Sequence, residues 1–187
     1  MIKIGMDFDG VVASTNELLC DLIYEILGMK VKTEDFTEYG IDKCLNLSQK
    51  QCQEIINELG TVEQTCRLEP MFGAIEFLQD WHKIGHDIHI ITTRKNEEPL
   101  HLFFEKYLPN ICVNIHSANP KTESIKKLKI THFIDDHPEI VLQLANEGIC
   151  PIIYSHPYNL NLGRRLEKLV LRVFSWDDMR RNFIEGK

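Results

Sequence analysis

The sequence predicts an α/β fold, with a mostly parallel sheet covered by helices on both faces. Two observations carry this. From residue 70 onward, strand-like and helix-like segments alternate, as they do when crossover helices connect parallel strands. Three of the strand-like segments also end in polar groups: Asp7 with Asp9, Thr92 with Thr93, and Asp135 with Asp136. In an open α/β sheet, ligands sit outside the carboxyl ends of the strands.

The first strand is expected over residues 2–8, where Ile2, Ile4, Met6 and Phe8 flank a small Gly5. Residues 10–13 leave it as a turn. A helix follows over 15–27, with Leu18, Leu19, Leu22, Ile23, Ile26 and Leu27 at helical spacing and Gly28 as its stop. Residues 30–47 are poorly periodic, with Phe36, Tyr39, Ile41 and Leu45 as scattered anchors. Ser48 opens a second helix, with Gln51 placed three residues on as a capping-box partner. Ile55, Ile56 and Leu59 give that helix an apolar side, and Gly60 closes it. Residues 15–69 therefore read as a small helical insert.

Pro70 and Gly73 mark the return to the main domain, which comprises residues 1–14 and 70–187. Helix 74–82, built on Ile75, Leu78 and Trp81, leads to a strand over 87–91. Helix 97–107 stops at Leu108-Pro109 before a strand over 111–115. Helix 122–128, preceded by Asn119-Pro120-Lys121, leads to a strand over 131–134. Helix 138–146 ends at Gly148, and a strand over 150–154 follows. Residues 158–163, rich in Asn and Gly, read as a surface loop. A last strand is expected over 169–174, and Ser175 caps a terminal helix through Asp178. His132 reads as a strand residue and His137 as loop material. Arg172 and Trp176 read as packing of the last strand and helix.

With 187 residues, 43% of them hydrophobic, the chain is one domain with a modest insert. The net charge of −7 argues for solubility and against a general nucleic-acid surface. No apolar stretch approaches the ~20 residues of a membrane span. Asp7 and Asp9 fall where a signal peptide would need its apolar stretch, so a cytoplasmic location is expected. Cys20, Cys44, Cys52, Cys66, Cys112 and Cys150 show neither a CxxC pair nor zinc-like spacing. Reduced, mostly buried thiols are expected, although an even count permits disulfides.

The polar strand ends carry chemistry together with Lys121, which stands ahead of the helix leading to Asp135. A carboxylate can take a phosphoryl group and then lose it to water, splitting one hard step into two. Carboxylates repel phosphate esters, so a divalent cation has to neutralise the approach. An oxygen-only ligand set suits Mg²⁺. A hydroxyl and a lysine can hold the non-bridging oxygens as charge moves. A second carboxylate two residues on can protonate the leaving oxygen.

These motifs resemble those of the haloacid dehalogenase (HAD) superfamily of phosphotransferases. The matching stretches are Asp7-Phe8-Asp9-Gly10 after a strand, Thr92 in IITTR, Lys121, and Asp135-Asp136 in HFIDDHP. They span residues 7 to 136. The resemblance implies a three-layer, Rossmann-like core with a small helical cap, residues 15–69, inserted after the first motif (the C1 position). It implies that Asp7 is the nucleophile and Asp9 the acid and base. Thr92 and Lys121 bind the phosphoryl oxygens, with Thr93 and the backbone at Gly10 nearby. Mg²⁺ is held by Asp7, the Asp9 backbone carbonyl and Asp135. Asp136 stands behind these ligands and acts through water or Lys121. The retained Asp9 implies phosphate rather than halide chemistry.

A closer similarity is to the 5′(3′)-deoxyribonucleotidases, through DFDGVVA, ITTR, LKITHFIDDHPE and HPYN…RVFSWDD. It implies a small phosphorylated metabolite as partner, such as a nucleoside or deoxynucleoside monophosphate, with no nucleic acid polymer and no membrane. Those enzymes place a base-stacking aromatic soon after the first motif, whereas Ala13, Ser14, Thr15 and Asn16 include none. Phe36 and Tyr39 could take that role or form the core of the insert. Thr15 and Arg94 are further candidate substrate contacts, and Arg94 could instead pair with a surface acid. The rival readings are a phosphatase of another metabolite, such as a sugar phosphate, and a catalytically weak binding module. Monomer and homo-oligomer are both compatible with the sequence.

Overall fold

The computed structural model describes residues 2–185. Residues 1, 186 and 187, which the expected core segments include, lie outside the described residues. Six parallel strands form one sheet: β1 (Ile4–Met6), β2 (Ile88–Thr92), β3 (Val113–Ser117), β4 (His132–Asp135), β5 (Cys150–Tyr154) and β6 (Leu171–Val173). Their spatial order is β3-β2-β1-β4-β5-β6. The chain moves outward from β1 to β2 and β3, then crosses back to β4 on the other side of β1. The switch therefore lies between β1 and β4, where such sheets bind ligands. Met6 pairs with Ile134 across that boundary, and the Asp7 N–H donates to the Ile134 carbonyl at 2.9 Å. The two acidic motifs are thus neighbours at one end of the sheet.

Strands β1 and β2 are buried along their whole length, as befits parallel strands covered on both faces. The covering helices are α5 (Ala74–Lys83), α6 (Glu98–Tyr107), α7 (Lys121–Lys127) and α8 (Pro138–Asn146), with α9 (Gly163–Glu167) and α10 (Trp176–Arg180) near the C-terminus. Phe8 sits in the central core, edge-on to Phe103 at 5.0 Å and near Phe104 at 5.9 Å. Trp176 is buried there as well, and its indole N–H donates to the Val11 carbonyl at 3.1 Å. Ser175 caps α10 by accepting from the Asp178 N–H at 3.2 Å.

Residues 15–69 contain α1 (Thr15–Leu27), α2 (Ile41–Cys44), α3 (Gln49–Leu59) and α4 (Val62–Arg67). Helix α1 serves two cores. Leu18 and Leu22 face the sheet domain. Leu19 and Ile23 pack with Phe36, Ile41 and Ile55 in a cluster of their own. The Ser48–Gln51 capping box opens α3. The segment leaves and rejoins the sheet domain through adjacent stretches of chain. Ser14 N–H donates to the Glu69 carbonyl, and Met71 N–H to the Val12 carbonyl, both at 2.8 Å.

Several expectations are corrected. Strand β1 stops at Met6 rather than Phe8, because the Phe8 carbonyl accepts from Val12 and Ala13 and begins the turn. Strand β3 starts at Val113, since the Ile111 N–H is spent on the Leu108 carbonyl in the preceding turn. Strand β6 is confined to Leu171–Val173. The Leu169 N–H still caps α9, and the Phe174 N–H is taken by the Asp178 carboxylate. Residues 158–163 are not simply a surface loop, because Asn159 is fully buried. The cysteines are free, but they are not mostly buried: Cys66, Cys112 and Cys150 are exposed and the other three half-buried. No helix among the described residues is long and apolar enough to cross a membrane.

Candidate active site

The turn after β1 is shaped by Gly10, whose φ of +68° is a left-handed conformation that side chains disfavour. A Cβ there would lie 2.4 Å from a carboxylate oxygen of Asp136. Gly10 therefore lets the β1 turn approach the end of β4. Its N–H donates to the Ala13 carbonyl at 3.0 Å, so this donor closes the turn. Its carbonyl accepts from His156 Nε2 at 2.6 Å. Gly10→Ala is expected to cost about 1–3 kcal/mol from the strained φ alone and to displace Asp136. Denaturant unfolding measures the first effect.

Asp7, Asp135 and Asp136 are all buried, and each offers an oxygen within 4.8 Å of those of the other two. Lys121, only 3% exposed, lies among them, with Nζ 2.8 Å from both Asp7 Oδ2 and Asp135 Oδ2. Helix α7 begins at Lys121, which explains its reach to the β1 and β4 ends. The His137 N–H holds Asp135 Oδ1 at 2.8 Å, and the Phe8 N–H holds Asp7 Oδ1 at 2.7 Å. Burial raises the Asp7 carboxyl to about 7. Lys121 opposes that rise, while Asp135 and Asp9 add to it. Burial also pushes Asp136 well up, and repulsion from Asp135 and Asp7 adds to the effect. Burial would lower the Lys121 ammonium, but Asp135 and Asp7 outweigh it and keep the charge in place.

Three buried carboxyl groups thus stand together, and one ammonium ion pairs with two of them. A divalent cation fits this all-oxygen donor set, and its charge would relieve the excess negative charge. The structure brings Asp136 into the same group as Asp7 and Asp135, so it can offer an oxygen directly.

Asp9 points elsewhere. Arg94 grips both of its oxygens, Nε to Oδ2 and Nη2 to Oδ1, each at 2.8 Å. Thr15 Oγ1 donates to Oδ1 at 2.8 Å. Burial would raise the Asp9 carboxyl, but Arg94 and Thr15 outweigh it and hold it below its usual value. Arg94 is accordingly paired with an acid inside the site, not with a surface acid. Thr92 is fully buried, and its Oγ1 accepts from the Arg94 N–H at 3.2 Å. Thr93 lines the cavity beside Asp7.

That cavity, about 670 Å³, runs from the carboxylates into the helical segment. On that side it is lined by Leu19, Phe36, Ile41, Ile56 and Leu59, with Glu38 and Asn57 among them. Phe36 is 3% exposed and belongs to the insert's core, presenting only part of itself to the cavity. Tyr39 faces the carboxylate end. Its ring lies 3.8 Å from that of His137 and 5.5 Å, edge-on, from that of Tyr158.

Three site residues were not singled out from the sequence. The Tyr158 hydroxyl donates to the Asp136 carboxylate. Asn159 Nδ2 donates to the carbonyls of Asp136 and Tyr154, both at 2.8 Å. His156 holds the Gly10 carbonyl, as above, and its Nδ1 lies 3.3 Å from Asn16 Nδ2. The HPYN quartet, already part of the closer resemblance, was the available signal.

No family model matches the chain. A protein of Bacillus subtilis (strain 168) called "Putative nucleotidase YqfW" is 23% identical over 186 residues, covering 94% of this chain and 90% of that protein. Among solved structures, a "HAD family hydrolase" of Deinococcus radiodurans R1, with bound phosphate and sodium, superposes with a TM-score of 0.69. It is 14% identical, with 98% of this chain and 95% of that one covered. A "putative phosphoglycolate phosphatase" of Lactobacillus delbrueckii subsp. bulgaricus has a TM-score of 0.68 at 11% identity, covering 96% and 97% of the two chains. At such identities these likenesses establish architecture: the chain has the α/β, Rossmann-like fold of HAD-type hydrolases.

Proposed function

We propose that this protein is a Mg²⁺-dependent phosphomonoester hydrolase that works through an aspartyl-phosphate on Asp7. The observation that carries the reading is the buried group of Asp7, Asp135 and Asp136 around Lys121, opening onto a cavity. Residues 15–69 act as a cap over that cavity. Asp7, Asp135, Asp136 and the Asp9 backbone carbonyl would hold Mg²⁺. When bound, the ion offsets the negative charge that carboxylates and phosphate bring together.

An Asp7 carboxylate oxygen forms a bond to phosphorus as the bond to the leaving oxygen breaks, and Asp9, ionised at rest, relays to that oxygen the proton carried in by the phosphomonoester monoanion. Asp9 then takes a proton from water, whose oxygen attacks phosphorus and releases Asp7. Lys121 keeps Asp7 oriented and donates to the phosphoryl oxygens, with Thr93 at the cavity wall and Thr92 behind it. Tyr158 and Asn159 fix Asp136.

The substrate class is a nucleoside 5′-monophosphate. The apolar side chains on the helical side suit the face of a flat base, Glu38 and Asn57 offer its edge polar partners, and the cavity has room for one. The Bacillus relative's name points the same way. A panel of purine and pyrimidine 5′- and 3′-monophosphates beside sugar phosphates tests this. Higher kcat/KM on the 5′-nucleotides, lost on chelation, is expected. Preference for sugar phosphates would overturn the substrate class. Mg²⁺ should also raise Tm, with about 2.7 kcal/mol of stabilisation at a hundredfold excess over Kd. An unchanged Tm would contradict the ion site.

A further inference from the structure

Arg94 is more than a partner for Asp9. Its guanidinium also reaches the cap, with Nη1 donating to Thr65 Oγ1 at 2.8 Å and lying 3.5 Å from the Leu59 carbonyl. Thr65 is fully buried, and its hydroxyl proton goes to the Thr61 carbonyl at 2.8 Å, so its oxygen faces Arg94 as an acceptor. The guanidinium also lies over the Phe8 ring, 5.5 Å from its centroid. It is therefore held on three sides: by Asp9, by the cap and by the core aromatic.

The contacts on Asp9 are selective. Each carboxylate oxygen can accept about two hydrogen bonds. Oδ1 takes two, from Arg94 Nη2 and Thr15 Oγ1. Oδ2 has a single donor among these contacts, Arg94 Nε. The one acceptor position left for proton exchange is thus on Oδ2, in an orientation that the planar fork of Arg94 fixes. A lysine could supply the charge but not that fork.

We propose that Arg94 is a positioning residue for Asp9, and that its seat on Thr65 and the Leu59 carbonyl makes the placement of Oδ2 depend on the cap being closed. The inference rests on the phosphomonoesterase reading. Cap closure would then bring the substrate to Asp7 and the proton-carrying oxygen to its leaving group in the same event.

The test compares two esters with leaving groups of different quality. Phenyl phosphate needs the proton from Asp9, whereas para-nitrophenyl phosphate needs it far less. Wild type, R94K, T65V and T65S are assayed on both with Mg²⁺. On phenyl phosphate, R94K is expected to lower kcat/KM, which reports the phosphoryl-transfer step alone, about 100-fold and T65V about tenfold. On para-nitrophenyl phosphate the losses should shrink about tenfold. T65S keeps the hydroxyl and should behave as wild type, which separates the hydrogen bond from a packing effect.

An equal loss of kcat/KM on both esters would overturn the proposal and make Arg94 a structural residue or a substrate ligand. Wild-type protein that hydrolyses neither ester would instead overturn the phosphatase reading, and this proposal with it.

Discussion

Asp7→Asn is expected to lower turnover about 10⁴-fold or more while leaving the chain folded. The carboxylate oxygen is the atom that forms the bond to phosphorus, and the amide that replaces it is a poor nucleophile. The shapes match, so the 2.8 Å contact from Lys121 to Asp135 should survive. Removing one of three buried carboxylates also lessens their mutual repulsion. The pH dependence of stability in chelator reports this separately. The Asp7 carboxyl is raised in the folded protein, from its ordinary 3.8 to about 7. The folded state therefore holds this proton more tightly than the unfolded chain. The resulting stability is fully present below the ordinary value and is lost as pH rises through about 7. Urea unfolding of the metal-free variant should show a flatter profile across that window than wild type. Retained turnover in Asp7→Asn would remove Asp7 from the mechanism.

Lys121→Met should be the most destabilising single change in the site. Lys121 is the ammonium shared by Asp7 and Asp135, and it is nearly inaccessible to water. Methionine fills similar space but leaves two buried carboxylates without their cation. Breaking a buried pair from one side costs about 3–5 kcal/mol. Denaturant unfolding in chelator should show that loss, and Mg²⁺ should recover part of it, because a bound cation can stand among the same oxygens. A loss below about 1 kcal/mol would mean that Lys121 contributes little to the fold.

The existence of the strands was legible because most of them are short, largely apolar runs closed by turn residues or charge, whereas the bounds of β1, β3 and β6 depend on turn hydrogen bonds that the pattern does not display. Helices α1, α3, α5, α6 and α8 were legible from their apolar faces and stops. The short helices α2, α4 and α9 were not, since four to six residues cannot display a periodic face. In the site, Asp7 and Asp135 stood out because strand ends in a parallel sheet share one edge, and Lys121 because it stands ahead of the helix leading to Asp135. The partners of those groups were harder to see. His156 meets Gly10 across 146 residues, and Tyr158 meets Asp136 across 22. Both come from a polar stretch whose local pattern reads as solvent-facing. Arg94 had two open readings in the sequence, and the choice depended on a contact with Asp9 that only the fold creates.

The most direct test of the account is chemical trapping of the phosphorylated carboxylate. The protein is mixed with substrate and Mg²⁺, quenched in acid, reduced with borohydride and digested. An aspartyl-phosphate would be converted to homoserine, which mass spectrometry locates in the peptide. Homoserine is expected at position 7, present only when substrate and Mg²⁺ are both supplied and absent in Asp7→Asn. Active turnover with no label at Asp7, or with the label on Asp9, Asp135 or Asp136, would contradict it.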